Sequence, residues 1–352
     1  MSGNKIRFFL GSNTKRGFTS LFDELRDPKN CKRLYIIKGG PGSGKSSLMR
    51  KIAIALECKK HIIEYFHCAS DPGSLDGFLD HSIGIAMMDG TAPHIMDPKY
   101  PGAYEVIINM ADCWDDSVLF EQKNEIIPLS DTISDCHLMA GSYIRSAAAL
   151  LDINMQLAMP YVRHDNINDF VDNLVENLRD SQSGKVKNRL LSAVSVGEIV
   201  FYSETIEELS DTVYVIPDKW GAASNILLSR LHHSASLQNI EQTVCYCSIR
   251  TPDKIDHIIF PCAGITVTTA NPFHSINSSK NQIVDGLADS IPKGIQEQMS
   301  INLNKSKELI GTACEHIKQA KLLHDDLEDF YIKAMDFSKV DVIYKKIINE
   351  IA

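Results

Sequence analysis

Short apolar runs alternate with longer amphipathic segments along this chain. Leu34–Ile37 is a β-rich apolar run of the kind found in buried parallel strands. Residues 47–56 follow it with apolar side chains at three- and four-residue steps, which predicts a helix. Strands that alternate with helices predict an α/β fold with a mostly parallel sheet. Further strands are predicted at Ile62–His67, Ser82–Met88, Val213–Ile216, Thr243–Cys247 and Gly264–Thr268.

Longer helices are predicted towards the end of each half of the chain. Residues 303–330 carry one apolar stripe, and a second helix is predicted from Asp336 to Ile351. Residues 133–159 and 167–178 are their counterparts in the first half, where Pro160 is expected to end the long helix. Each pair predicts an antiparallel helical hairpin. The apolar stripes either pack the two halves together, which we favour, or bind a protein partner.

The same features recur at a nearly constant spacing, which indicates a tandem duplication. Leu34–Ile37 matches Val213–Ile216 at an offset of 179 residues (213 − 34), and a gap-free alignment carries Gly42 onto Gly221. Asp76 falls on Asp256 at an offset of 180 (256 − 76).

We therefore predict two domains, residues 1–180 and residues 181–352, each with an α/β core and a helical hairpin. The polar segment Asp180–Lys185 is the predicted boundary.

Composition narrows the class of protein. The chain has 352 residues, 44% of them hydrophobic and 23% charged, and a net charge of −9, which makes a broad nucleic-acid surface unlikely. No run is long and apolar enough to cross a bilayer, and residues 1–7 lack the apolar core of a signal peptide. Nine cysteines without a C-x-x-C pair fit a reducing compartment. We expect a cytoplasmic protein without membrane association; a homo-oligomer is compatible with the sequence.

One motif carries specific chemistry. Residues 39–46 fit the pattern G-x-x-x-x-G-K-[ST], the phosphate-binding or Walker A loop, between a predicted strand and a predicted helix. Lys45 could reach the β- and γ-phosphates of a nucleotide, and the Ser46 hydroxyl could bind Mg²⁺. The predicted ligands are thus ATP and Mg²⁺. The nucleotide-binding residues are predicted to be Gly39, Gly40, Pro41, Gly42, Ser43, Gly44, Lys45, Ser46 and Ser47.

Acidic residues near predicted strand ends could complete the site. Asp89 ends an apolar run and is the predicted second Mg²⁺ ligand, although it could instead begin a turn at Gly90. Asp71 becomes Thr251 in the second half, which favours a catalytic or water-positioning role, and Glu64 is a weaker candidate for the base. Asp76 and His94 recur as Asp256 and His274, which favours structural roles for them.

The second half has lost the motif. Residues 217–225 stand in place of the glycine-rich loop, with Ser224 aligned to Lys45 and Asn225 to Ser46. Thr269 replaces Asp89. The second domain is therefore predicted to be a degenerate copy with a structural or regulatory role.

Several segments together resemble a known family. Ile36–Ser46, Phe66–Pro72, Asp89–His94 and Ala334–Phe337 resemble duplicated P-loop NTPase-like proteins found mainly in Firmicutes and described as ATP-binding proteins of unknown role. The resemblance spans nearly the whole chain and implies ATP binding at the first loop. It implies no substrate.

Three functions are compatible with these features. The first is a slow Mg²⁺-dependent ATPase that acts as a nucleotide switch, with Lys45 on the phosphates, Ser46 and Asp89 on the metal, and Asp71 or Glu64 on the attacking water. The second is a nucleotide-gated scaffold whose helices bind a protein partner. The third is a small-molecule kinase. A guanine-recognition N-K-x-D motif is absent from the sequence, which favours ATP over GTP.

Overall fold

The computed structural model describes residues 6–28, 31–178 and 184–351, so the predicted boundary at residues 180–181 lies outside the described residues. The first half builds one six-stranded sheet from its described residues and a separate hairpin of β2 and β3. Its strands are β1 (Arg7–Phe8), β2 (Gly11–Thr14), β3 (Gly17–Ser20), β4 (Arg33–Lys38), β5 (Ile63–His67), β6 (Leu75–Asp80), β7 (Ile85–Asp89) and β8 (Glu105–Asn109).

The first sheet is mixed rather than mostly parallel, which corrects the prediction from the sequence. Its strand order is β1-β5-β6-β7-β4-β8. β4 runs parallel to β7 and β8, and β1 runs parallel to β5, but β6 is antiparallel to both of its neighbours. Residues 68–74 and 81–84 connect β6 to its neighbours, and these links are too short for the crossover that a parallel pair requires.

The second half repeats this sheet. The order β9-β13-β14-β15-β12-β16 matches the first sheet strand for strand, again with one antiparallel strand, β14, inside it. The two six-stranded sheets of the described residues are compatible with two tandem domains. The strands are β9 (Val186–Arg189), β10 (Ser192–Val194), β11 (Ile199–Phe201), β12 (Thr212–Pro217), β13 (Gln242–Tyr246), β14 (Ile255–Phe260), β15 (Ile265–Ala270) and β16 (Asn281–Ile283).

Eight α-helices accompany the sheets in the described residues. The predicted long helices are present and longer than expected, since the first begins ten residues earlier than the apolar stripe indicated. It ends at Ala158, and Pro160 lies in the 3₁₀ turn that follows. The helices are α1 (Lys45–Glu57), α2 (Asp116–Glu121), α3 (Lys123–Ala158), α4 (His164–Asn177), α5 (Ser203–Leu209), α6 (Ala222–Leu237), α7 (Lys293–Ala334) and α8 (Phe337–Ile351).

The helices pack across the two halves, not as two separate hairpins. The long helices α3 and α7 pack mainly on each other. The short helix α4 of the first half packs on α6 of the second, and α8 of the second half packs on α1 of the first. Packing between the copies, which the sequence analysis favoured, is therefore the arrangement observed.

The two cores also share apolar side chains. One buried cluster contains Phe9, Leu10 and Ile36 from the first half together with Leu190 and Val215 from the second. The backbones of Phe9 and Leu190 exchange two hydrogen bonds, of 2.8 and 3.1 Å. Within the ranges described, no helix combines the length and the apolar character needed to cross a bilayer.

Candidate functional site

The glycine loop, residues 39–46, connects the end of β4 to the first turn of α1. Gly42 and Gly44 have positive φ angles of 66° and 84°, a region that side chains with a Cβ rarely adopt. Gly44 is the N-cap of α1, and its carbonyl accepts the hydrogen bond of the Leu48 N–H at 2.8 Å. The backbone therefore requires glycine at these two motif positions, and it directs the positive end of α1 at the loop.

Lys45 and Asp89, two of the predicted site residues, lie close together at this loop. Asp89 lies beside Ile37 in the strand register, so its carboxylate stands where β4 ends. The Nζ atom of Lys45 is 3.5 Å from Asp89 Oδ2 and donates hydrogen bonds to the carbonyls of Gly39 (2.8 Å) and Gly40 (2.7 Å). The other carboxylate oxygen of Asp89 accepts hydrogen bonds from the backbone and hydroxyl of Thr91, so the acid also caps a turn.

The loop serines have different environments. The Ser46 hydroxyl accepts the N–H of Leu75 at 2.9 Å, which fixes it next to the start of β6. Ser43 is buried and donates to the carbonyl of Gly40 at 2.7 Å, whereas Ser47 is exposed on α1 and Pro41 is half-buried. Of these three serines, Ser46 is thus the one whose hydroxyl contacts β6, the strand that carries Asp76.

The structure does not bring Glu64 to the loop. Through β6 and β7, the strand register places Glu64 at the level of Leu34, at the beginning of β4. Five residues of strand separate that level from Gly39, about 16 Å at the usual rise of about 3.3 Å per residue. Glu64 instead forms a buried ion pair with Arg189 of the second half (2.6 Å) and bonds His81 Nε2 (2.8 Å).

Asp71 lies in the turn after β5. Its Oδ1 accepts the N–H of Gly73 at 3.2 Å, and its Oδ2 is 3.5 Å from Nζ of Lys321 on α7. The described contacts of Asp71 tie the turn to the helix of the other half and include none with the loop.

Two residues that the sequence analysis considered structural, Asp76 and His94, belong to the same neighbourhood. Asp76 Oδ2 is 3.1 Å from His94 Nε2, and both side chains are buried. Burial alone would lower the pKa of His94, but the carboxylates of Asp76 and Asp89 outweigh it and raise that pKa, while Lys45 opposes them. His94 therefore lies within electrostatic reach of the Lys45–Asp89 pair. The sequence analysis assigned His94 a structural role because a histidine recurs at the same place in the second half, and so it did not place His94 near the loop.

The last turns of α7 cover the glycine loop. The N–H of Gly42 donates to Glu328 Oε1 at 3.3 Å. A Cβ added to Gly40 would lie 2.4 Å from the ring of Tyr331, so the loop and the helix are in close contact. His324, Asp325 and Glu328 carry ligand-type atoms within 4.8 Å of one another on this helix. Access to the loop from solvent thus depends on a helix of the second half.

The corresponding loop of the second half is shorter, and this corrects the gap-free alignment. Six residues, 39–44, separate β4 from α1, whereas four, 218–221, separate β12 from α6. Gly221 has a φ of 81° and is the N-cap of α6, so it corresponds to Gly44 and not to Gly42. Ala222 and Ala223 therefore stand at the positions of Lys45 and Ser46, where neither a cation nor a hydroxyl is available.

A carboxylate of the chain itself fills the second loop. Asp218 accepts the N–H groups of Trp220 (3.2 Å), Gly221 (2.8 Å) and Ser224 (2.7 Å) at the N-terminus of α6. These are the donors that would otherwise face an anion. A cavity of about 30 Å³ remains beside Trp220 and Arg250, large enough to hold water. A second, buried trio of ligand-type side chains, Asp256, His257 and His274, lies near it.

Comparison with known proteins returned no match: no protein-family model, no curated protein and no solved structure is similar to this chain. The resemblance to duplicated P-loop proteins therefore stays a prediction.

Proposed function

We propose that the first half binds Mg²⁺-ATP at the glycine loop and hydrolyses it slowly, as a nucleotide switch. The observation that carries the proposal is the meeting of Lys45 and Asp89 at the loop, directly in front of the N-terminus of α1. A lysine can neutralise phosphate charge, backbone N–H groups can bind phosphate oxygens, and an acid at the neighbouring strand end can hold a metal. ATP is proposed over GTP on the sequence alone.

The contrast between the two loops supports this assignment. In the second half the Asp218 carboxylate occupies the backbone donors, and alanines replace the lysine and the serine. Above the first loop, α7 presents polar side chains such as Glu328, whereas α3 presents Met155 and Leu151 near Trp220 in the second half. The first loop, unlike the second, keeps the lysine and the serine with which the motif binds phosphate and metal.

A nucleotide-gated scaffold is the second candidate. It is favoured by the contact of α7 with the glycine loop, because a nucleotide that displaced Glu328 would act on the α3–α7 pair. Exposed apolar side chains on these helices, among them Leu138 and Met139 on α3 and Leu322 on α7, could contact a protein partner.

The test is to measure nucleotide binding and phosphate release in the presence of Mg²⁺. The proteins compared are the wild type, the variant Lys45→Ala and, as a matched control from the second loop, Lys219→Ala. Hydrogen bonds to charged groups contribute about 1.5–3 kcal/mol, so Lys45→Ala should weaken binding or slow release by about tenfold or more. Lys219→Ala should behave as wild type.

Phosphate release that Lys45→Ala leaves unchanged, or no nucleotide binding by the wild type, would refute the ATPase. Tight ATP binding without release would support the scaffold instead.

A further inference from the structure

Both sheets contain a β-bulge at the same place. Phe66 pairs with Gly77 and His67 with Leu75, so Asp76 is the extra residue between them. In the second sheet Cys245 pairs with His257 and Tyr246 with Ile255, so Asp256 is the extra residue. A bulge turns a side chain away from its regular direction and is common next to functional sites.

The second half supplies its own cation to the bulged acid. Lys254 donates a hydrogen bond to Asp256, and the two side chains are 3% and 2% exposed. Burial would raise the pKa of Asp256, but Lys254 and the neighbouring histidines lower it well below its usual range. The carboxylate is therefore ionised and neutralised from within the chain.

The first half keeps the acid but lacks this lysine. Leu75 and Ile255 occupy equivalent positions in their bulges, so Ser74 stands where Lys254 stands. The side chain of Asp76 is 8% exposed, and its Oδ2 accepts no hydrogen bond from any described residue, although His94 Nε2 lies 3.1 Å from it. A buried carboxylate is costly unless a cation compensates it. Among the described residues, the first half offers Asp76 only His94, which carries charge only when it is protonated, whereas the second half offers Asp256 a lysine.

Two further oxygen ligands are carried by chain segments adjacent to Asp76. Gly77 pairs with Met88, and Asp76 and Asp89 are the next residues along these two antiparallel strands. The Ser46 hydroxyl accepts the N–H of Leu75, the neighbour of Asp76. In the second half Thr269 replaces Asp89, so the second carboxylate is lost where the lysine is gained.

We propose that Asp76, together with Asp89 and Ser46, binds a divalent cation, and that the ammonium of Lys254 is the built-in replacement for that cation in the second half. A hard cation such as Mg²⁺ or Mn²⁺ prefers carboxylate and hydroxyl oxygens and keeps several waters. The inference deepens the proposed nucleotide site, but metal binding by these side chains is measurable without a nucleotide.

The experiment is a titration with Mn²⁺, followed by its electron paramagnetic resonance signal, on the full chain alone and with ADP. Asp76→Asn should weaken Mn²⁺ binding by about tenfold or more, since even outer-shell partners of metal ligands contribute about 10–100-fold. Ser74→Lys should do the same without removing a carboxylate, because it supplies the ammonium that the second half carries. The control is Asp97→Asn, an exposed acid paired with Lys38, which should bind Mn²⁺ as wild type does.

The outcomes separate this inference from the proposed function. Wild-type Mn²⁺ affinity in Ser74→Lys and in a folded Asp76→Asn variant would overturn the inference, even if the protein binds ATP. Loss of Mn²⁺ binding in Ser74→Lys supports it, also if Asp76→Asn fails to fold. Mn²⁺ binding that depends on Asp76 in a protein that binds no nucleotide would leave the inference standing and refute the nucleotide switch.

Discussion

The role that the structure gives Glu64 differs from the one that the sequence predicted. The sequence analysis considered it a weaker candidate for the base that activates water. The structure pairs it instead with Arg189, and the two side chains are 4% and 3% exposed. Burial would raise the pKa of Glu64, but Arg189 and His81 outweigh it and hold that pKa well below its usual range. The ion pair joins the two halves.

Glu64→Gln should therefore destabilise the whole protein. Removal of Glu64 leaves the buried Arg189 charge with Glu24 alone, at 3.9 Å, and breaking a buried ion pair costs about 3–5 kcal/mol. A double variant, Glu64→Leu with Arg189→Met, should lose less than Glu64→Gln alone because no buried charge remains. Chemical denaturation of the three proteins measures this, and a double variant less stable than the single one would contradict it.

The Glu64–Arg189 ion pair should also make the free energy of unfolding depend on pH. The pKa of Glu64 is depressed in the folded state, so its contribution to stability is present above the ordinary value of 4.5 and is lost as the pH falls towards the folded pKa. The difference in unfolding free energy between wild type and Glu64→Gln should thus be constant near neutral pH and shrink below about pH 4.5. A difference that grows on acidification would show that the pair is not ionised.

At the scale of elements, the contact between α7 and the glycine loop is the feature most open to test. The Glu328 carboxylate lies at the N–H of Gly42, where an incoming phosphate would meet a like charge. Two unit charges about 4 Å apart repel by about 1 kcal/mol in water. Glu328→Gln should therefore raise nucleotide affinity by about fivefold, and added salt should reduce the gain.

The matched control is Glu315→Gln, an exposed acid on the same helix, which should not change the affinity. Isothermal titration of both variants with ATP and Mg²⁺ is the measurement. Weaker binding by Glu328→Gln would mean that this acid assists the nucleotide, for example through the metal.

Local pattern predicted some elements and not others. The apolar run of β4 and the β-rich run of β5, despite Glu64 within it, revealed these strands, and the long apolar stripes revealed α3 and α7. β6 was missed because Asp76 and Gly77 interrupt its apolar residues, and with it the antiparallel strand that makes the sheet mixed. The two-residue deletion in the second loop was also invisible, because helix capping by Gly221, which fixes the alignment, depends on the backbone conformation.

At the scale of the whole molecule, the halves exchange their last helices. Reciprocal backbone hydrogen bonds fix the exchange: Arg163 donates to Leu287 at 2.9 Å, and Asp336 donates to Cys113 at 2.7 Å. The division of the sequence at residue 180 is therefore not a division in space, since each core is completed by a helix from the other half. The sequence patterns revealed the repeat but not the exchange of α4 and α8, because an apolar stripe on a helix does not specify which other element packs against it.

This exchange of helices predicts which half of the molecule a core mutation destabilises. Ile347 on α8 is 3% exposed and packs in the core of the first half with Leu48 and Ile52 of α1. Ile347→Ala should cost about 2–5 kcal/mol. Because stability is local as well as global, hydrogen exchange should show protection lost in α1 before α6.

Val342→Ala, at a position that is 65% exposed on the same helix, should leave both helices protected. The mirror variant is Val171→Ala on α4, a fully buried side chain in the core of the second half, and it should loosen α6 before α1. If either buried variant lowered protection equally in α1 and α6, the two cores would open as one cooperative unit. The exchanged helices would then bind the halves together too tightly for a nucleotide at the first loop to move α7 without unfolding both.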